Sequence, residues 1–202
     1  HDADLGKMAA MKGKEFLPRL FKNHGYKTMA AGKIFHITDG QNQFDEYGGI
    51  FGRMGPKPPH RMSYDPSQFG KGKTQTDWGP YPEKDSAMPD VKIAAWSVAK
   101  LKEKHEKPFF LTVGFLRPHV PWHVPAKWFK PFPKKETQLP PLKNDDLTDI
   151  PDFGVKLHEI PGMPPWEWMK KEQRIRDATR AYLASVHFAD AQVGKVLKAL
   201  EE

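Results

Sequence analysis

Apolar residues along this chain gather into three patterned stretches, separated by long segments with no sustained period. In the first, residues 18–24 (Pro-Arg-Leu-Phe-Lys-Asn-His) read as a short helix. Pro18 sits in its first turn, where a missing amide proton costs little, and Gly25 supplies the stop. Residues 26–31 then have the length and composition of a buried strand, ended by Gly32. Helix, strand and loop in such quick succession are the rhythm of an α/β fold.

The second stretch opens at Asp90, a candidate helix cap, and Val91, Ala94, Ala95, Val98 and Leu101 repeat at helical spacing through residues 90–104. Residues 108–116 follow, with the apolar run Phe109-Phe110-Leu111-Thr112-Val113. A near-continuous apolar run after a helix predicts a central parallel strand covered on both faces. The third stretch, 166–202, is the strongest periodic signal. Ile175, Ala178, Tyr182, Val186, Ala189, Val193, Val196 and Leu200 form one stripe, which predicts a long amphipathic helix packed on a sheet.

Between these stretches, residues 38–89 are rich in Gly, Pro, Asp and Lys and read as long surface loops. The segment 117–165 holds eleven of the twenty prolines, so it is expected to wrap the body as an extended loop with a brief helical turn near Ala126–Phe129. There is no internal repeat and no low-complexity tract. By length alone, residues 1–202 are expected to form a single domain.

Chemistry is expected where loops leave the carboxyl ends of parallel strands, because ligands bind in the crevice there. Two loops qualify: Gly32-Lys33-Ile34-Phe35-His36 and Arg117-Pro118-His119-Val120-Pro121-Trp122. By itself the first fits a snorkelling surface lysine and a satisfied histidine as well as an anion site. In the second, Pro118 and Pro121 restrict the backbone around His119, and a stiffened imidazole suits proton transfer at a fixed point as well as a plain backbone hydrogen bond. His119 and His123 stand four apart, but Pro121 between them argues against a helical zinc pair. Asp145, Asp146 and Asp149 lack the loop pattern of a calcium site and read as a solvated acidic turn.

Composition narrows this further. The chain has no cysteine, which excludes disulfides, thiolate zinc sites and a cysteine nucleophile within these 202 residues. A net charge of +7 favours anionic partners over about a Debye length, although the basic residues are dispersed rather than clustered. No segment approaches the roughly 18 apolar residues of a membrane span, so no membrane partner is expected. Nucleic acid is not expected either, because the aromatics lie in apolar runs instead of alternating with Lys and Arg. The chain starts at His1 and ends within a helical pattern, so it is expected to be the middle of a longer polypeptide.

Three motifs in order resemble the sulfatase family of the alkaline-phosphatase-like superfamily. Leu17-Pro18-Arg19-Leu20-Phe21-Lys22-Asn23-His24-Gly25-Tyr26-Lys27-Thr28, leading into Gly32-Lys33-Ile34-Phe35-His36, is similar to the family's Gly-Lys…His loop. The two residues between Lys33 and His36 look like the iduronate-2-sulfatase branch. Residues 108–115 with Arg117-Pro118-His119-Val120-Pro121 resemble the second signature. Tyr182-Leu183-Ala184-Ser185-Val186, with Asp190, Val193 and Gly194, resembles the helix before the family's later metal-binding strand.

The resemblance implies an alkaline-phosphatase-like three-layer sandwich with a mainly parallel sheet, present here incompletely. It implies hydrolysis of a sulfate ester of a small molecule or glycan, with formylglycine made from a cysteine and a bound Ca2+ ion as cofactors. Lys33 would set a cation against the sulfate oxygens, His36 would hydrogen-bond the hydrated aldehyde, and His119 would face the sulfate and the leaving alkoxide. The cysteine motif and the calcium ligands are not among these residues, so both are expected outside them and the segment alone is expected to be inactive. A periplasmic, secreted or lysosomal parent is implied, and the oligomeric state stays open. Two alternatives remain: a phosphodiesterase or phosphonate hydrolase of the same superfamily, and a non-catalytic polyanion-binding module.

Overall fold

The computed structural model describes residues 13–35, 38–69, 76–143, 145–157 and 162–202. The chain divides into two compact units: residues 1–55, 86–116 and 189–202, and residues 56–85 and 117–188.

In the first unit, helix α1 (Leu17–Asn23) carries Pro18 in its first turn and ends in a Schellman motif. The Gly25 N–H donates to the Lys22 carbonyl and the Tyr26 N–H to the Phe21 carbonyl, both at 3.1 Å, while Gly25 takes the left-handed φ of 85° that this stop requires. Phe21 meets Tyr26 edge-on and stacks on Phe110 at 4.3 Å, which seats the helix over the sheet. The sheet is wholly parallel, in the order β2 (Glu46–Tyr47), β1 (Lys27–Gly32), β4 (Phe109–Gly114). Thus β1 is the central strand, with Met29, Ala30 and Ala31 fully buried. Among the described residues the strand expected at the centre, β4, pairs with β1 alone, and it is half-buried along its whole length.

Helix α2 (Pro89–Leu101) starts one residue before the expected cap. Met88 is the N-cap and makes no side-chain capping bond, while Asp90, fully buried in the first turn, accepts the Leu116 N–H at 2.5 Å. Asp90 therefore ties the helix start to the chain leaving β4 rather than capping the helix. Ala31, Ile93 and Leu116 form the core here, joined by Trp96, Val113 and Phe115.

In the second unit, β3 (Trp78–Pro80) and β5 (Trp122–Val124) form a two-stranded parallel ladder with Trp78 opposite Trp122. The turn expected at Ala126–Phe129 is a 3-10 helix. Helices α3 (Asp152–Leu157) and α4 (Trp166–Lys171) follow. Helix α5 (Ile175–Glu201) begins only after a break at Gln173, whose φ is 53°.

The face that α5 buries overlaps the expected stripe only in part: of that stripe Ala178 is buried and Ile175, Ala189 and Val196 are partly buried. Ala178, Ala181, Ala184, Ser185, Phe188, Gln192 and Ala199 are buried, whereas Tyr182, Val186, Val193 and Leu200 from the predicted stripe are exposed among the described residues. Small side chains allow close approach of the helix, with Phe188 as the one bulky anchor against Trp128. The mixed α/β class with parallel strands, expected from the sequence, is what the structure shows.

Candidate active site

Strands β1 and β4 run in register to their carboxyl ends, where Gly32 pairs with Gly114. Immediately beyond, the Lys33 N–H donates to the Gly114 carbonyl at 2.7 Å, the Gly32 N–H donates to the Gly49 carbonyl at 2.9 Å, and the Tyr47 hydroxyl donates to the Gly32 carbonyl at 2.9 Å. This closeness requires glycine. A Cβ at Gly114 would lie 2.2 Å from the Lys33 carbonyl oxygen, and one at Gly32, with φ of 85°, would lie 1.9 Å from the Gly114 oxygen. The backbone thus fixes where half-buried Lys33 leaves the sheet. His36, the other residue expected on this loop, lies outside the described residues.

The second candidate loop is organised by Arg117, which is buried at 4% exposure. Its Nε–H donates to the His123 carbonyl at 3.1 Å and its Nη1 to the His119 carbonyl at 3.4 Å. The Trp122 Nε1–H donates to the Pro118 carbonyl at 2.9 Å, and the Arg117–Pro118 and Val120–Pro121 peptides are cis. His119 itself is exposed, with Nδ1 at 2.6 Å from the Val120 carbonyl. A carbonyl can only accept, so Nδ1 carries the proton and donates. Nε2 is then the nitrogen that exchanges a proton: acceptor in the neutral ring, donor in the cation. An imidazole held by one nitrogen and exposed at the other is the arrangement general acid–base catalysis needs.

Behind the loop lies a pair that the sequence reading missed. Asp77 and His123, 46 residues apart, are both buried, and the His123 Nε2–H donates to Asp77 Oδ2 at 3.0 Å. Asp77 Oδ1 accepts the Ser63 N–H at 3.0 Å and the Ser63 hydroxyl at 2.5 Å, and the Met62 N–H reaches both oxygens at 3.2 and 3.1 Å. Burial alone would raise the Asp77 pKa. The hydrogen bonds from His123, Ser63 and Met62 and the attraction of His123 outweigh it, holding this carboxyl well below the ordinary carboxylate range. One carboxylate therefore ties the 62–63 turn to β5, and through the His123 carbonyl to Arg117 and His119. No spacing rule links Asp77 to His123, and nothing short of the tertiary fold reveals the pair.

Lys33 belongs to the first unit and His119 to the second. Among the described residues no group of three or more His, Asp or Glu side chains is placed to hold a metal ion, so these residues do not fit a calcium site.

The sulfatase family model matches residues 8–202. A protein named sulfatase from Formosa agariphila is 42% identical over 95% of this chain and 39% of its own length. The iduronate 2-sulfatases of mouse and human are 30% and 29% identical, each over 92% of this chain and 37% of their own length. Among solved structures, the crystal structure of Ps i-CgsB in complex with k-i-k-neocarrahexaose is similar over 94% of this chain and 37% of that one, at 18% identity and a TM-score of 0.44. The chain thus spans about two fifths of the length of the curated relatives it matches. With the match running through both candidate loops and on to the end of α5, the chain belongs to the sulfatase family.

Proposed function

We propose that the protein to which this chain belongs hydrolyses sulfate esters of a sugar or glycosaminoglycan, as the name of its iduronate 2-sulfatase relatives describes for them. The observation that carries this reading is His119, anchored at Nδ1 by the Val120 carbonyl and exposed, on a loop clamped by buried Arg117. Breaking a sulfate ester builds negative charge on the leaving oxygen, and a proton delivered from His119 Nε2 quenches it. Lys33, leaving the sheet one residue beyond the Gly32–Gly114 pair, sets an ammonium charge against the sulfate oxygens. His36 serves the same site as a hydrogen-bond donor or acceptor.

A formylglycine nucleophile and Ca2+ would supply sulfur attack and charge neutralisation. We assign both to polypeptide beyond these residues, since the chain has no cysteine. The segment alone is accordingly inactive. A sulfated small molecule or glycan is the partner, met in a periplasmic, secreted or lysosomal setting. Among the described residues no helix is long and apolar enough to cross a membrane.

The test is release of inorganic sulfate from a sulfated uronic-acid disaccharide by the full-length protein, alongside phosphate release from a phosphodiester. Sulfate release that falls at least about 100-fold in Lys33→Ala is expected. Phosphodiester cleavage without sulfate release would contradict the reading.

A further inference from the structure

The second unit has a shallow, open cavity at its surface, of about 400 Å³, lined by residues 60–66 and Arg174. Its chemistry is set by two arginines. Arg61 is fixed in place, since its Nη1 donates to the Tyr64 hydroxyl at 2.8 Å and to the Thr76 carbonyl at 2.7 Å, with the guanidinium 5.3 Å from the Tyr64 ring centre. Arg174 is placed by the left-handed turn at Gln173 between α4 and α5, closed by the Arg174 N–H on the Met169 carbonyl at 2.9 Å.

The two arginines differ in how their charge is answered. Arg174 Nη1 makes a long ion pair with Asp177 Oδ2 at 4.0 Å on a side chain that is 43% exposed, while its buried Nε has no hydrogen-bond partner among the described residues. Buried N–H groups in folded proteins almost always have a partner. With two arginines against one acid, Asp65, the lining carries a net positive formal charge. The cavity is also joined to the candidate active site. The Met62 and Ser63 N–H groups in its wall are bound by Asp77, which holds His123, whose carbonyl holds Arg117 and through it His119.

We propose that this cavity is an accessory anion subsite that takes a carboxylate or sulfate group of the glycan substrate other than the ester being cleaved, with Arg174 as its principal ligand. The proposal rests on the sulfatase reading for the identity of the glycan, and on the cavity itself for the charge it selects. Arginine suits this task because its planar fork matches two oxygens of one oxyanion.

The test is equilibrium binding to the full-length protein, by calorimetry, of a sulfated uronate-containing tetrasaccharide already incubated with wild-type protein until sulfate release ceases. Arg174→Gln is expected to raise Kd about 10-fold, the loss of one charge-assisted hydrogen bond. Arg174→Lys should recover only part of it. Lys156→Gln, which removes an exposed charge elsewhere in the same unit, should change Kd by less than about 2-fold. Arg174→Gln is the primary variant because Arg61 also ties its own turn together. A thermal melt matching wild type confirms that the altered protein is folded.

Tetrasaccharides with reduced carboxyls or without sulfates separate the sources: the form that loses affinity identifies the anion bound. Unchanged Kd in Arg174→Gln, an equal loss in Lys156→Gln, or full affinity for both altered tetrasaccharides would overturn the proposal. If the wild-type protein binds the sugar but releases no sulfate, the sulfatase reading fails and the cavity assignment stands. If it releases sulfate and Arg174→Gln binds normally, only the cavity assignment fails.

Discussion

Replacing Asp77 by Asn tests whether one carboxylate holds the second unit's candidate loop in place. Four donors converge on Asp77: the Met62 N–H, the Ser63 N–H, the Ser63 hydroxyl and the His123 Nε2–H, at 2.5 to 3.2 Å. An Asn side chain offers one acceptor oxygen and turns an NH2 toward the remaining donors, so at least two hydrogen bonds are lost inside a buried site. At about 1–3 kcal/mol for each stranded group, two give roughly 2–6 kcal/mol, which brackets the range of about 3–5 kcal/mol seen when one partner of a buried pair is removed. Urea denaturation of the full-length protein, followed by tryptophan fluorescence, reads it directly, since Trp78 and Trp122 face each other beside Asp77 and His123.

The pH dependence has a definite sign. Burial works against ionisation of Asp77, but the bonds from His123, Ser63 and Met62 prevail and depress the folded pKa. The unfolded chain then binds more protons in acid, so the stabilisation is complete above about pH 4 and is lost as pH falls toward the folded value. The gap between wild type and Asp77→Asn should hold from neutrality to about pH 4 and narrow below it. A destabilisation under about 1 kcal/mol, or a gap unchanged down to about pH 2, would refute the reasoning.

Further predictions concern the loops themselves. His119→Ala in the full-length protein should slow turnover of a sulfate ester by about two to four orders of magnitude, and near-normal kcat would reject an acid–base role. Gly114→Ala places a Cβ 2.2 Å from the Lys33 carbonyl oxygen and 2.5 Å from its carbon, both backbone atoms that no rotamer change can move. A loss of about 1–3 kcal/mol is expected by thermal or urea melting. By contrast, Gly194→Ala, in α5 with nothing within 4 Å of the added Cβ, should stabilise by about 0.5–1 kcal/mol. Equal effects at the two glycines would contradict the close approach at the strand ends.

Local chemistry made part of this molecule legible from the sequence alone. Pro18 and Gly25 marked both ends of α1, the apolar runs marked β1 and β4, and a brief turn was readable at Ala126–Phe129 within a proline-rich loop. What depends on tertiary choice was not legible. An apolar run cannot say how many strands flank it, and among the described residues β4 pairs with β1 alone. Helix α5 carries two apolar faces that overlap in part; the periodicity of its larger residues pointed to one, while close packing selected the other, lined by Ala181, Ala184 and Phe188. Strands of three residues such as β3 and β5, with Gly79 and Pro80 inside the first, leave no period to detect.

The candidate site divides in the same way. Lys33 and His119 were singled out because they follow strands in motifs that resemble a known family, and Arg117 stands in the second of those motifs, whereas the Asp77–His123 pair behind that loop has no spacing signal. Arg61 and Arg174 are just as far apart in the chain and meet only around a cavity.

The most direct measurement is a crystal structure of the full-length protein soaked with inorganic sulfate, the product of the proposed reaction. Lys33 Nζ and His119 Nε2 are expected on one sulfate ion, each at about 2.7–3.2 Å from an oxygen. A sulfate held by neither, or by one with the other turned to a different face of the sheet, would contradict the proposal that these two strand-end loops serve a single reacting group.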